Sequence, residues 1–374
     1  MSRLTRVGLG ALFLDPGVTG GSETYLHGLV PSLVRLRPDL RFEVATTRRG
    51  AEALAREEWA EEVEVRALAC DDDEPFRRTA FERVGLRRLA RRRQWDLLHS
   101  LSNRGPRRAG VAHVLTVHDV IFFHERALGA LSTYGMRWAV RTAASRADAV
   151  VAVSGAAADD IVRALDLERS RVHVIPHGPG RLAGRGRPPE EVRRRFGLPD
   201  GRILLCVAAK RAHKNQVLLA QALRALPEDV HAVLVGHDEG YGAEIAAAAT
   251  ASQVEKRLHL IGFVSDPELE GLWGIASCAV LPTRAEGFGL PVLEAMRRGI
   301  PVACSDIPVL REVGGDAARY FDPGDPAGAA AAIGALLSDQ SIGARGRERA
   351  AGFTWERAAE ATLDVYERAL ARHG

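Results

Sequence analysis

Two glutamates, Glu286 and Glu294, stand with seven residues between them in the stretch Leu281-Pro-Thr-Arg-Ala-Glu286-Gly287-Phe288-Gly289-Leu290-Pro291-Val-Leu-Glu294-Ala-Met. The apolar run ending at Leu281 reads as a strand, the glycines as a loop, and Pro291 as the opening turn of a helix. Glycines let backbone N–H groups approach a ligand, and a helix N-terminus adds partial positive charge. Such a place suits an anion, above all a phosphate. Glu286 falls in the mouth of the loop and Glu294 in the first helical turn. Carboxylates do not bind phosphate, but they accept hydrogen bonds from vicinal hydroxyls of a sugar or a ribose. Singly, each residue is explained by a turn or by the helix dipole. In this order they suit a nucleotide-sugar.

The chain carries 51 basic residues, of which only Lys210, Lys214 and Lys256 are lysine. Two of the three fall in Cys206-Val-Ala-Ala-Lys210-Arg211-Ala-His-Lys214-Asn215, just after another apolar run. An ammonium at Lys214 serves as a point charge for a diphosphate leaving group. Lys210 is open between that role and a solvated loop charge beside Arg211.

These residues need a scaffold, and the texture of the chain supplies one. Short apolar runs alternate with helical patterns: Val7–Phe13, Phe42–Thr46, Val63–Ala67, Leu97–Ser100, Val114–Val117, Ala149–Val153 and Val172–Ile175. After a Gly/Pro/Arg-rich stretch over 176–189 the alternation restarts with Ile203–Val207, Ala232–Val235, Leu258–Ile261, Ala279–Leu281, Pro301–Ala303 and Ala318–Phe321. Strands buried on both faces and separated by helices predict two doubly wound α/β domains, 1–180 and 190–353. The last helix, within 354–374, is assigned to the first domain. Ligands bind at the carboxyl ends of such strands, and two such domains predict a cleft between them.

With 374 residues, 46% apolar and 26% charged, the chain is an ordinary globular one, and a net charge of +3 argues against wholesale nucleic-acid binding. No apolar run reaches the length of a membrane span, and Val7–Leu14 is too short for a secretory leader. The four cysteines share no metal-ligand spacing and read as buried small hydrophobes of a reducing, cytoplasmic compartment. Asp71-Asp72-Asp73-Glu74 reads as a solvated acidic run, not a metal site. Residues 76–93 carry eight arginines against one acid, Glu82. That helix reads first as an arginine-rich solvated face, and second as a weak contact with an anionic membrane surface.

The block around Glu286 and Glu294 closely resembles the E-x7-E signature of retaining GT-B glycosyltransferases of family 4. The resemblance extends through Gly20-Gly21-Ser-Glu-Thr-Tyr25, Thr116-Val-His118-Asp119, Ile175-Pro-His-Gly178, Lys214-Asn215 and Gly262-Phe-Val264. It implies two Rossmann-like domains facing across a deep cleft, and transfer of a hexose-type sugar from a nucleotide-sugar to an acceptor hydroxyl. The acceptor would be a sugar, glycan, glycolipid or natural product. Glu286 would contact the transferred sugar, and Gly287, Phe288, Gly289 and Leu290 would line the donor sugar and phosphate. Glu294 would hold the ribose, Lys214 would neutralise the diphosphate, and Gly20 and Gly21 would close over the phosphates. His118 would lie beside the reacting sugar, and the main chain at Val264 would edge the base.

Neither metal nor cofactor is expected, and no enzyme nucleophile is needed if the departing phosphate takes the acceptor's proton. In one departure from the family pattern, Ala209 stands where many relatives carry arginine, with Lys210 or Arg211 the replacements at hand. His177 stands where asparagine is commoner. The rival readings are a nucleotide-sugar epimerase, a glycan phosphorylase and a non-catalytic nucleotide-sugar-binding subunit of the same fold.

Overall fold

A computed structural model describes residues 4–17, 20–70, 75–123, 130–180, 186–339 and 341–374 of the chain. The apolar runs form strands, and all the strand pairs are parallel. In the N-terminal half these are β1 (Arg6–Gly10), β2 (Arg41–Thr46), β3 (Glu64–Ala67), β4 (Leu97–Ser100), β5 (Ala112–Val117), β6 (Ala149–Ala152) and β7 (Val172–Val174). They pair in the order β3-β2-β1-β4-β5-β6-β7. The second half supplies β8 (Arg202–Val207), β9 (Val230–Val235), β10 (Leu258–Ile261), β11 (Ala276–Leu281), β12 (Val302–Ser305) and β13 (Arg319–Phe321). Their order is β10-β9-β8-β11-β12-β13. The α/β class and the GT-B type of fold expected from the sequence are what the chain adopts.

Two compact units result, one of Met1–Gly178 with Thr354–Gly374, the other of Pro179–Phe353. Helices cover both faces of each sheet, so central strands read as continuous apolar runs. Val7, Leu9, Val114 and Val151 are buried in the first unit, Leu204, Ala232, Cys278 and Val280 in the second. Each valine or leucine among them contributes about 1.5–3 kcal/mol by leaving water. The four cysteines are free thiols, all buried.

The helix Trp355–His373 belongs to the first unit. It buries Ala358, Ala359, Thr362, Val365, Tyr366 and Ala369, a stripe at helical spacing. It lies on the helix Gly21–Leu36, and Gly28 makes the approach possible: a Cβ there would stand 2.0 Å from the Trp355 ring. The arginine-rich segment forms a helix over Pro75–Ala80, a π-helical turn over Phe81–Gly85, and a helix over Leu86–Arg93. Its charges are partly used at home. Arg93 pairs with Glu43 and Glu64, buried Glu82 pairs with Arg104 at 3.1 Å, and Arg83 lies 4.0 Å over the Trp138 ring. No helix among the described residues is long and apolar enough to cross a membrane. The acidic run 71–74 lies outside the described residues, as do 181–185 of the Gly/Pro/Arg-rich stretch.

Candidate functional site

Strand order reverses between β8 and β11 in the second unit, and a doubly wound sheet opens a crevice at such a reversal. The loops leaving these two strands carry Lys214 and Glu286. After β8 the chain makes a 3-10 turn over Ala212–Lys214 and then a left-handed residue, Asn215, with φ 56°. Asparagine tolerates that conformation better than most residues. Its side-chain amide also donates to the carbonyls of Pro282 and Pro323, both at 2.9 Å. The loop after β11 is tied to the same turn, since Arg284 N–H and the Thr283 hydroxyl both donate to the His213 carbonyl, at 2.7 and 3.0 Å. The stitched loops bring Lys214 Nζ to 2.6 Å from Glu286 Oε2.

Gly287, Phe288 and Gly289 follow, all buried. The Phe288 ring packs edge-on against Phe353, with centroids 6.0 Å apart, and fixes the loop from beneath. Gly289 has φ 97° and caps the helix Leu290–Arg298; a Cβ there would also stand 2.7 Å from Leu310. Only glycine fits. Pro291 has no N–H and Val292 N–H donates to the Gly289 carbonyl at 3.0 Å, so the Leu290 N–H and the helix dipole are what this end offers an anion. Glu294 lies in the same helix, next to the chain at Gly180, where a Cβ would meet its Oε1 at 2.1 Å. No described side chain hydrogen-bonds its carboxylate. Loss of water pushes its pKa up to about 7, with Arg298 opposing and Glu270 and Asp266 adding to the rise.

Lys210 and Arg211 are placed differently. Lys210 is 3% exposed, and its ammonium donates to the carbonyls of Gly236 at 2.5 Å and Ile261 at 2.8 Å. The structure places this cation at the exits of β9 and β10. The Arg211 guanidinium pairs with Glu239 at 2.5 Å on the surface. Val264 is buried at the end of the loop after β10, just before Ser265, whose N–H and hydroxyl donate to Glu268 at the start of the helix Asp266–Ile275.

In the first unit the order reverses between β1 and β4. Gly20 caps the helix Gly21–Leu36 with φ 52°, and a Cβ on it would meet nothing within 4 Å. His118 follows β5. Its Nε2 lies 3.0 Å from the Leu101 carbonyl, which can only accept, so Nε2 carries the proton and Nδ1 keeps a lone pair. Burial lowers its pKa, with the Leu101 bond and Asp119 opposing, which keeps the ring neutral. Asn103, which sequence reasoning missed, clips this segment at both ends. Its Oδ1 accepts from His118 N–H at 2.7 Å, and its Nδ2 donates to the Asp119 carbonyl at 3.2 Å. Around His118 stand Tyr25 edge-on at 5.1 Å and His177 at 5.5 Å, with Trp355 5.5 Å beyond His177. In the sequence Tyr25 is visible only as part of a motif, and His177 only as a departure from one.

The structure thus brings Lys214, Glu286 and the Gly287–Gly289 loop together at one sheet reversal, with Glu294 in the helix that follows. It places Lys210 and Val264 on the β9/β10 side of the same sheet. His118, Gly20 and Gly21 lie in the other unit. Two doubly wound parallel sheets, one with this loop-and-helix site, define the GT-B class of sugar-transferring proteins.

Sequence comparison is more specific. Residues 19–178 match the family model "Glycosyltransferase Family 4", and residues 189–352 match "Glycosyl transferases group 1". The chain belongs to glycosyltransferase family 4, group 1. It is 33% identical over 243 residues to a D-inositol 3-phosphate glycosyltransferase of Xylanimonas cellulosilytica, across 60% of this chain and 58% of that one. It is 31% identical over 249 residues to the MMP alpha-(1->4)-mannosyltransferase of Mycolicibacterium hassiacum, across 64% of this chain and 58% of that protein. Each match thus spans somewhat more than half of the relative's length. Among solved structures, that of Anabaena HepE in complex with UDP and glucose superimposes with TM-score 0.74 at 20% identity. The superposition covers 96% of this chain and 98% of that one.

Proposed function

We propose that this chain transfers a hexose-type sugar from a nucleotide-diphosphate donor to an acceptor hydroxyl with retention of anomeric configuration, and that it needs no metal. The observation that carries this reading is the Lys214–Glu286 contact beside the glycine loop and helix end at the β8/β11 reversal. In this reading Lys214 and the amides of Gly287 to Leu290 hold the diphosphate as negative charge develops on it. Glu286 accepts hydrogen bonds from hydroxyls of the transferred sugar, Glu294 from the ribose, and the main chain at Val264 meets the base. The bond from the sugar's anomeric carbon to the diphosphate oxygen breaks, and one to the acceptor oxygen forms on the same face. The acceptor's proton goes to the departing phosphate. His118, neutral and protonated on Nε2, offers Nδ1 as an acceptor to a hydroxyl of the reacting sugar. Gly20 and Gly21 are assigned to the phosphates.

The activities of the relatives support sugar transfer, and HepE's bound UDP and glucose support a nucleotide-linked donor. The acceptor is assigned to the class of sugars, glycans, glycolipids or natural products, and the place of action to the cytoplasm. Contact of 76–93 with a membrane surface belongs to this proposal only as a weak, peripheral one, and flotation with anionic liposomes at low salt tests it. The principal test is Glu286→Ala assayed with a panel of UDP-, GDP-, ADP- and dTDP-sugars. Transfer should fall at least a hundredfold in a variant that still unfolds cooperatively, at a lower melting temperature because Lys214 loses its partner, on the scale of losing one preorganised group, ~10²–10³. Near-wild-type turnover by the folded variant overturns the assignment.

A further inference from the structure

We propose that Lys210 is a positioning residue for the base-reading side of the donor site, acting through the exits of β9 and β10 and not through the diphosphate. The inference rests on the nucleotide-sugar reading above.

The two strand exits are joined three times. Gly236, the first residue after β9, shares its N–H between the carbonyls of Ile261 and Gly262, each at 3.2 Å. The rings of His237 and Phe263 stack with centroids 5.1 Å apart and 13° between planes. The Lys210 ammonium bridges the carbonyls of Gly236 and Ile261. Its own backbone is part of the same knot, since Lys210 N–H donates to the His237 carbonyl at 2.8 Å and Lys210 pairs with Asp238 as an isolated parallel bridge.

A buried ammonium needs such partners, because leaving one unpaired and dry is costly. Asp238, its partner in that bridge, is occupied otherwise: its Oδ1 accepts from the N–H groups of Gly240, Tyr241 and Gly242, each at 3.0 Å. Lys210 is thus held chiefly by carbonyls, and their position is what it controls. Ile261 is three residues before Val264, so whatever fixes the Ile261 carbonyl fixes the start of the loop whose main chain is assigned to the base. Lys214, four residues on, points instead to Glu286. The two lysines of one loop therefore divide the donor, one serving the diphosphate side and the other the base side.

The division is testable by titrating the full-length chain calorimetrically with three probes. These are the nucleoside diphosphate that binds tightest among UDP, GDP, ADP and dTDP, its parent nucleoside, and inorganic pyrophosphate. Lys210→Met should weaken the nucleotide and the nucleoside by the same factor, about fivefold or more for loss of a charged hydrogen-bonding group, and leave pyrophosphate unchanged. Lys214→Met should do the reverse, weakening nucleotide and pyrophosphate while sparing the nucleoside. Phe263→Ala, at a 59% exposed ring, removes another of the ties without emptying a core, and should repeat the Lys210 pattern even if Lys210→Met fails to fold. The inference is overturned if Lys210→Met weakens pyrophosphate and spares the nucleoside, or if Phe263→Ala leaves nucleoside affinity unchanged. Failure of the unaltered chain to bind any nucleotide overturns the donor reading itself, and this inference with it.

Discussion

Lys214 Nζ and Glu286 Oε2, contributed by loops on either side of the β8/β11 reversal, lie 2.6 Å apart with side chains only 18% and 15% exposed. The pair neutralises itself, and in the proposed donor complex a diphosphate and a sugar hydroxyl divide the two charges between them. Each charge then meets a partner suited to it: an anion for the ammonium, a hydroxyl donor for the carboxylate. Removing either residue alone leaves a largely buried charge without its partner.

Non-additivity follows. Lys214→Met and Glu286→Gln should each destabilise the fold, and the double substitution should cost less than their sum. For residues in contact the coupling falls in the range of about 0.5–3 kcal/mol. A double-mutant cycle in urea measures it. A coupling near zero would mean that solvent, not the partner, carries the charges.

If Glu294 holds the donor ribose as proposed, donor binding is pH-sensitive. Its carboxyl is raised from 4.5 to about 7, chiefly by burial. An ionised carboxylate is the better acceptor for ribose hydroxyls, so the donor KM should rise as pH falls from 8 to 6, by about tenfold if only the ionised form binds. Stability runs the opposite way. Folding favours the protonated form, so this group costs nothing below its ordinary range and increasingly destabilises as pH rises from there through 7. Glu294→Gln should therefore raise the melting temperature at pH 8, leave it unchanged at pH 4, and flatten the pH profile of the donor KM.

The sheets were legible because parallel strands covered by helices on both faces are continuous apolar runs, whatever their neighbours. Ile203–Val207 needs no knowledge of Val230 to be read as a strand. What surrounds a side chain is another matter. Lys210 looks in sequence like one more loop cation, and its burial depends on Gly236 and Ile261, 26 and 51 residues away. The surroundings of Glu294 likewise depend on Gly180, Asp266 and Glu270, residues no spacing rule connects to it. Asn103 sits in an unremarkable Leu-Ser-Asn-Arg run, and its bonds to the segment at His118 cross between neighbouring strands. Local pattern carries the scaffold, whereas the electrostatic setting of each site residue is written in long-range contacts.

Asn215 tests how Lys214 is aimed. Its φ of 56° favours Asn or Gly, and its amide holds Pro282 and Pro323. Asn215→Gly keeps the conformation and loses both bonds, at about 1–3 kcal/mol for the buried groups left unpaired. Asn215→Ala loses the bonds and strains the backbone by about 1–2 kcal/mol more. Turnover should fall in the order wild type, Gly variant, Ala variant, with pyrophosphate affinity following it. Equal effects of the two variants would show that backbone conformation plays no part in placing the lysine.

Asn103 offers the corresponding test in the first unit. It accepts from His118 N–H and donates to the Asp119 carbonyl, so it fixes the backbone on both sides of the His118 Cα, while Leu101 fixes the ring through Nε2. Asn103→Asp keeps the acceptor and turns the donor into a second acceptor facing a carbonyl; Asn103→Ala removes both. If His118 Nδ1 meets the reacting sugar, both substitutions should lower kcat, the alanine by about tenfold for a misplaced group. The donor KM should change less than kcat, because the side chains proposed to hold the diphosphate, the ribose and the base belong to the other unit. His118→Ala should lower kcat at least as far, and Asn103→Ala added to it should lower kcat no further, since a positioning residue has nothing left to position. Full additivity in that double variant would mean that Asn103 acts on turnover by a route other than His118.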